Sequence, residues 1–213
     1  MRDTPPLPLT SSVRVSVHRR GRSFNLWRRT GAGNSSFPDG LKEAQTETAV
    51  QAMHEVIRLI RGGQYVGRQF KQIAFVGFSI GGIIANGLAD KYPHDVDVYV
   101  LIGISWDLTW IYPAFLAGLQ TSARTIDPDR WGHLEPYYQT QPTIEAREVA
   151  CFYGEYEKDA LAADFATRDF DTLGAAITFT YHLVDAPHFT GPVFLGIGES
   201  KTNSALGLVA DHI

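Results

Sequence analysis

The stretch "KQIAFVGFSIGGIIANGLADKYP", residues 71–93, decides the fold. It begins with a short apolar run containing Ile73, Phe75 and Val76, the composition of a buried strand. It ends with Ile83, Ile84, Leu88 and Ala89 at helical spacing, stopped by Pro93. Between the two stands Gly77-x-Ser79-x-Gly81, the spacing of a G-x-S-x-G elbow, in which a serine occupies a sharp turn from strand to helix. Glycines are expected on both sides because side chains there would collide with the backbone of the facing element. The bland alternative is a glycine-flanked turn serine without chemistry. The next segment of the chain speaks against it: "VDVYVLIGIS", residues 96–105, is strand-like and apolar on both alternations, which predicts a strand covered on both faces. Strand, serine turn, helix and strand make a βαβ unit with a parallel sheet.

Upstream, "LKEAQTETAVQAMHEVIRLIRGG", residues 41–63, has helical periodicity, with Val50, Met53, Ile57 and Ile60 on one face and Gly62 and Gly63 as the stop. Before it, "TGAGNSSFPDG", residues 30–40, is dense in turn formers and reads as an ordered loop. Downstream, residues 106–170 are irregular and read as helical, without a convincing strand. This stretch is rich in aromatics, among them Trp106, Trp110, Tyr112, Phe115, Trp131, Tyr137 and Tyr138. Inserted between parallel strands, it suits a helical lid whose aromatics either line an apolar pocket or fill the lid's own small core. "GPVFLGIGES", residues 191–200, returns to strand character.

The chain has 213 residues, 44% of them hydrophobic and 20% charged, which suits one soluble domain with a real core. A net charge of -4 speaks against a general polyanion binder. The first 29 residues depart from this balance, with Arg2, Arg14, Arg19, Arg20, Arg22, Arg28 and Arg29 against Asp3 alone. Neither a clean amphipathic transit helix nor a nucleic-acid reading motif accompanies these arginines. Residues 1–23 are therefore expected to be a solvated, poorly ordered segment. The single Cys151 excludes an internal disulfide and any multi-cysteine metal site. There is no run of membrane-spanning length and no signal-peptide core, so the expectation is a soluble protein with no nucleic-acid or membrane partner; the sequence leaves the compartment open, with the cytoplasm favoured over the others.

With these segments in place, the chain resembles the α/β-hydrolase superfamily, and more narrowly its lid-bearing members. The elbow "VGFSIGGIIANGLADKYP" carries most of the resemblance. "PDG" before a long helix and "GPVFLGIGE" after the lid fall where the family places them. "LWRRTGAGNSS" is similar to the family's "YDRxGxGxS" loop, with Trp27, Arg28 and Arg29 at its Tyr, Asp and Arg. The resemblance implies an incomplete α/β-hydrolase fold: a short, mostly parallel sheet with flanking helices, a core from 24–105 and 185–213, and a helical lid from 106–184. It also implies that Ser79 attacks the acyl carbonyl of a small, apolar ester-like substrate, that the backbone N–H of Ile80 gives one oxyanion contact, and that no cofactor or metal is needed.

Departures from the family pattern are equally specific. The family acid follows the post-lid strand as "GxxD", where this chain has Lys201, leaving Glu199 and Asp107 as substitute candidates. No "HG"-type segment upstream of Ser79 supplies a second oxyanion donor. His212 alone lies beyond the acid position, and it stands too near Glu199 for a full helix, strand and loop. His182 and His188 precede the post-lid strand and read as lid or surface residues, while His18, His54, His94 and His133 read as structural. The expectation is a hydrolase core truncated at both ends and of low activity, with a non-catalytic remnant that binds a ligand or partner as the alternative. In the family's strand order the elbow strand also has a neighbour that would precede the "TGAG" loop, and without it residues 73–76 would form an apolar sheet edge. That edge is either covered by "VRVSV" (13–17) or "FNLW" (24–27), or open to self-association.

Overall fold

The computed structural model describes residues 30–32, 35–65, 67–109, 113 and 120–197, together with the backbone of two strands, β1 (Arg14–His18) and β2 (Arg22–Leu26). These two strands pair antiparallel with each other, from Arg14 opposite Leu26 to His18 opposite Arg22. β1 lies within the basic segment and β2 at its end. Residues 14–17 of "VRVSV" and 24–26 of "FNLW" pair with each other, and neither strand joins the main sheet among the described residues. Glu199, Lys201 and His212, the segment 27–29 and the aromatics Trp110, Tyr112 and Phe115 lie outside the described residues.

Helix α1 (Thr46–Arg61) carries Glu47 in its first turn and Arg58 and Arg61 in its last, the charge order that complements the helix dipole. Its entry is a turn in which the Asp39 carboxylate accepts the N–H groups of Leu41 and Lys42, both at 2.9 Å. These bonds hold the Asp39 carboxyl below its usual range. Val50, Ile57 and Ile60 are buried as the periodicity predicts, with Met53 half-buried beside them. Gly63 ends the helix at φ 75°, a conformation that favours glycine.

Among the described residues the main sheet has three parallel strands in the order β3 (Ala74–Phe78), β4 (Val98–Ile102), β8 (Val193–Gly196). Helix α2 (Ile80–Lys91) makes the crossover from β3 to β4. Ile84, Ala85, Leu88 and Ala89 of α2 meet Tyr99 and Leu101 of β4 in the main core, which Val50 and Ile57 of α1 complete. The architecture is α/β, as expected.

Two expectations are corrected. First, β4 is not covered on both faces. Tyr99 and Leu101 are buried, whereas Val98, Val100 and Ile102 on the opposite face stay half-exposed. Beside them Val76, Phe78 and Phe194 are 56%, 69% and 61% exposed. Among the described residues this face has no helix over it, and β3 is an edge strand. Apolarity on both alternations reports the composition of a strand, not the presence of a second layer.

The second correction concerns residues 106–170, which do contain two short strands, joined by a third just beyond them. Thr121–Ser122 (β5), Tyr138–Thr140 (β6) and Asp171–Thr172 (β7) form an antiparallel sheet in the order β5-β6-β7. At two or three residues each, they are too short to show a period of two. Short helices surround them, and Ala123, Trp131, Leu134, Tyr138 and Phe170 make a second core. Of the two roles weighed for the aromatics, Trp131 and Tyr138 take the internal one.

This second unit is tied back to the loop before α1. Tyr138 donates its hydroxyl to Pro38 O at 2.7 Å, Thr172 donates to Ala44 O at 2.6 Å, and Thr46 donates to Ala175 O at 3.2 Å. Thr46 N–H in turn donates to Thr178 Oγ1 at 3.1 Å.

Candidate active site

Ser79 stands between the last residue of β3 and the first residue of α2. Its backbone is held from both sides. The Ser79 N–H donates to Ile102 O at 2.8 Å, and the Ser79 carbonyl accepts from Gly82 N–H at 2.8 Å and Ile83 N–H at 3.2 Å. The first bond extends the β3–β4 ladder by one residue and the other two open the helix. Between these clamps the chain has one residue in which to reverse. Ser79 takes φ 51° and ψ -119°, and among the described residues it is the only non-glycine at positive φ. The side chain is exposed and makes no capping hydrogen bond to the helix.

The flanking glycines divide the work differently from expectation. A Cβ on Gly77 would lie 2.4 Å from Gly81 O and 2.7 Å from Gly82 N, so the strand end and the first helical turn approach to backbone contact there. A Cβ on Gly82 would lie 2.2 Å from Ile104 Cγ2. On Gly81 it would meet nothing within 4 Å. The close approach therefore requires Gly77 and Gly82, and the space beside Gly81 is open.

Ile80 begins α2, and its N–H has no acceptor among the described residues, as is usual for the first turn of a helix. Asp107 sits in a turn of its own: its N–H donates to Ser105 Oγ at 3.1 Å, and its carboxylate accepts Thr109 N–H at 2.9 Å. Hydrogen bonds from Thr109 hold the Asp107 carboxyl below its usual range. Among the described residues no hydrogen bond or ion pair joins Ser79 to a histidine or a carboxylate.

The histidines with charged partners are engaged elsewhere. His54 Nδ1 lies 2.6 Å from Asp95 Oδ2, and its ring stacks on Tyr92 at 3.8 Å. Tyr92 caps the C-terminal end of α2, whereas Ser79 stands at its N-terminal end, about 20 Å away along the helix axis. His182, read from the sequence as a lid or surface residue, is not at the surface: it is 4% exposed, packed onto Gly87 with Nε2 3.4 Å from Glu47 Oε2. Burial pushes its pKa down. Among the described residues no group of His, Cys, Asp and Glu is placed to hold a metal ion, and no helix is long and apolar enough to cross a membrane.

A feature that sequence reasoning missed lies between α2 and the sheet. A cavity of about 50 Å³ is lined by Asn86, Tyr99, Leu101, Trp106, Phe189 and Val193, with three alanines filling the gaps. Asn86 is 5% and Tyr99 1% exposed. Asn86 Nδ2 donates to Val184 O at 2.8 Å, but Asn86 Oδ1, Tyr99 Oη and Trp106 Nε1 are buried without a partner. The one visible signal was Asn86 itself, a polar residue on the apolar side of "IGGIIANGLADKYP".

No protein-family model matches this chain, and no curated protein matches it in sequence.

Proposed function

We propose that this chain is an α/β-hydrolase-type protein in which Ser79 is the nucleophile toward an ester or similar acyl bond of a small apolar substrate. The observation that supports this most is the Ser79 backbone: an exposed serine at φ 51° on a strand-to-helix turn, with no capping hydrogen bond from its hydroxyl. A conformation that costs about 1–3 kcal/mol is kept where its geometry is used. In this reading Ser79 Oγ attacks the acyl carbon, and the unoccupied Ile80 N–H stabilises the oxyanion. Activity is low. An unactivated hydroxyl is a weak nucleophile near neutral pH, and one absent oxyanion donor costs about 2.7–4 kcal/mol of transition-state stabilisation.

The second reading, a hydrolase-like remnant that binds without catalysis, draws on the finding that no histidine among the described residues is hydrogen-bonded to Ser79. A fluorophosphonate probe and p-nitrophenyl acetate separate the two. The catalytic reading expects slow labelling at Ser79, found by peptide mass and absent in Ser79→Ala, together with weak Ser79-dependent turnover. Neither labelling nor turnover would leave the binding reading standing. The exposed β3 edge further suits self-association, which sedimentation at increasing concentration tests.

A further inference from the structure

The cavity between α2 and β4 holds a combination that folded proteins avoid unless something fills it. The large majority of buried side-chain polar atoms have a hydrogen-bond partner. Of the four buried side-chain polar atoms without one among the described residues, three belong to residues that line this single space: Asn86 Oδ1, Tyr99 Oη and Trp106 Nε1. Their chemistry is complementary. Asn86 Oδ1 accepts, the indole N–H only donates, and the phenol does either. Burial pushes the Tyr99 pKa up, so its hydroxyl keeps its proton at neutral pH.

We propose that this cavity is a binding site for a small neutral molecule that carries both a hydrogen-bond donor and an acceptor, in the class of short amides and alcohols. No lining residue is charged, so nothing there would compensate an ion taken out of water. The walls are otherwise Tyr99, Trp106 and Phe189 rings and aliphatic side chains, which suit a compact apolar body behind the polar end. Size narrows the class. One water needs roughly 10–15 Å³ of such space and benzene occupies a cavity of about 150 Å³, so about 50 Å³ admits a molecule of two to four non-hydrogen atoms. Access is from the side of Trp106, Ala186 and Phe189, which are not fully buried. Asn86 lies seven residues along α2 from Ser79, about 10 Å, so the site stands apart from the elbow serine.

Acetamide is a fitting probe, with four non-hydrogen atoms, a donor and an acceptor. The Trp106 indole N–H resonance, assigned through Trp106→Phe, and the Asn86 side-chain amide are followed during a titration. Both are expected to shift saturably in the millimolar range. Isobutene, of the same shape without polar atoms, is expected to bind at least tenfold more weakly. Tyr99→Phe and Trp106→Phe, singly and together, remove the free polar groups while keeping an aromatic ring at each position, and dispersion of the amide spectrum reports that each variant is folded. The double variant is expected to bind acetamide at least tenfold more weakly, and Ser79→Ala to bind it unchanged. Two results overturn the proposal: acetamide affinity unaltered in folded Tyr99→Phe, or no saturable shift together with cross-relaxation from the Trp106 indole N–H to a long-lived water. The second means that ordered water alone fills the cavity.

Discussion

Replacing Ser79 by glycine and by alanine separates the two demands on this position. Serine at φ 51° and ψ -119° lies outside the left-handed well open to ordinary residues and carries about 1–3 kcal/mol of backbone strain. Glycine removes that strain but adds about 0.5–1 kcal/mol of backbone entropy lost on folding. The net for Ser79→Gly is stabilisation of about 1 kcal/mol. For a chain of 213 residues that is a rise in Tm of roughly 2–4 °C. Alanine keeps the Cβ and hence the strain, and it removes a hydroxyl that makes no capping bond. Ser79→Ala is therefore expected within about 0.5 kcal/mol of the parent, against the roughly 0.5–2 kcal/mol that loss of a bonded helix cap costs. Urea unfolding followed by far-UV circular dichroism, with a shared m-value, measures all three chains. A loss of more than about 1 kcal/mol in Ser79→Ala would refute the reasoning, because the hydroxyl would then be holding the helix rather than standing free for chemistry.

Gly77→Ala, whose Cβ would lie 2.4 Å from Gly81 O, is expected to lose about 3 kcal/mol or more, while Gly81→Ala, with open space around it, stays within about 1 kcal/mol of the parent; paired urea curves check both. Asp97 accepts Arg61 Nη2 at 2.9 Å and Ile73 N–H at 2.7 Å, which ties α1 and the approach to β3 to the start of β4. Asp97→Ala is expected to cost about 1–3 kcal/mol, read as a lower urea midpoint. His182 has its folded pKa depressed by burial, so its contribution to stability is present above the ordinary histidine pKa of about 6.5 and is lost as pH falls through the lowered folded value. Stability is therefore expected to fall below about pH 6.5 with a slope of up to about 1.4 kcal/mol per pH unit, and His182→Gln flattens that slope in urea titrations at about pH 5 to 7.5.

The βαβ unit was readable because its determinants are local. Ile73 to Val76 form an apolar run, the glycine spacing marks the turn, and Ile84 and Leu88 repeat at helical spacing. Layering was not readable, since Val98, Val100 and Ile102 are as apolar as a doubly covered strand requires yet remain half-exposed. The role assigned to Gly81 belongs to Gly82, because which glycine is crowded depends on where Ile104 lies, and that contact is tertiary. The strands Thr121–Ser122 and Asp171–Thr172 exist through pairing with Tyr138–Thr140 and carry no periodicity of their own. The polar cavity needed three residues from α2, β4 and the segment after it, a coincidence in space that no sequence interval records.

The ties between the loop before α1 and the second core also set a timetable for synthesis. Thr46 and Thr178 bond across 132 positions, and Thr172 and Ala44 across 128. At about 5–20 residues per second, the partners of residues 44–46 leave the ribosome roughly 7–26 s after these residues themselves. For that interval β3, the elbow, α2 and β4 are already made while the partners of residues 44–46 are not. The β8 strand that completes the sheet beside β4 is made later still, so the stretch that carries Ser79 waits on both sides for its long-range partners.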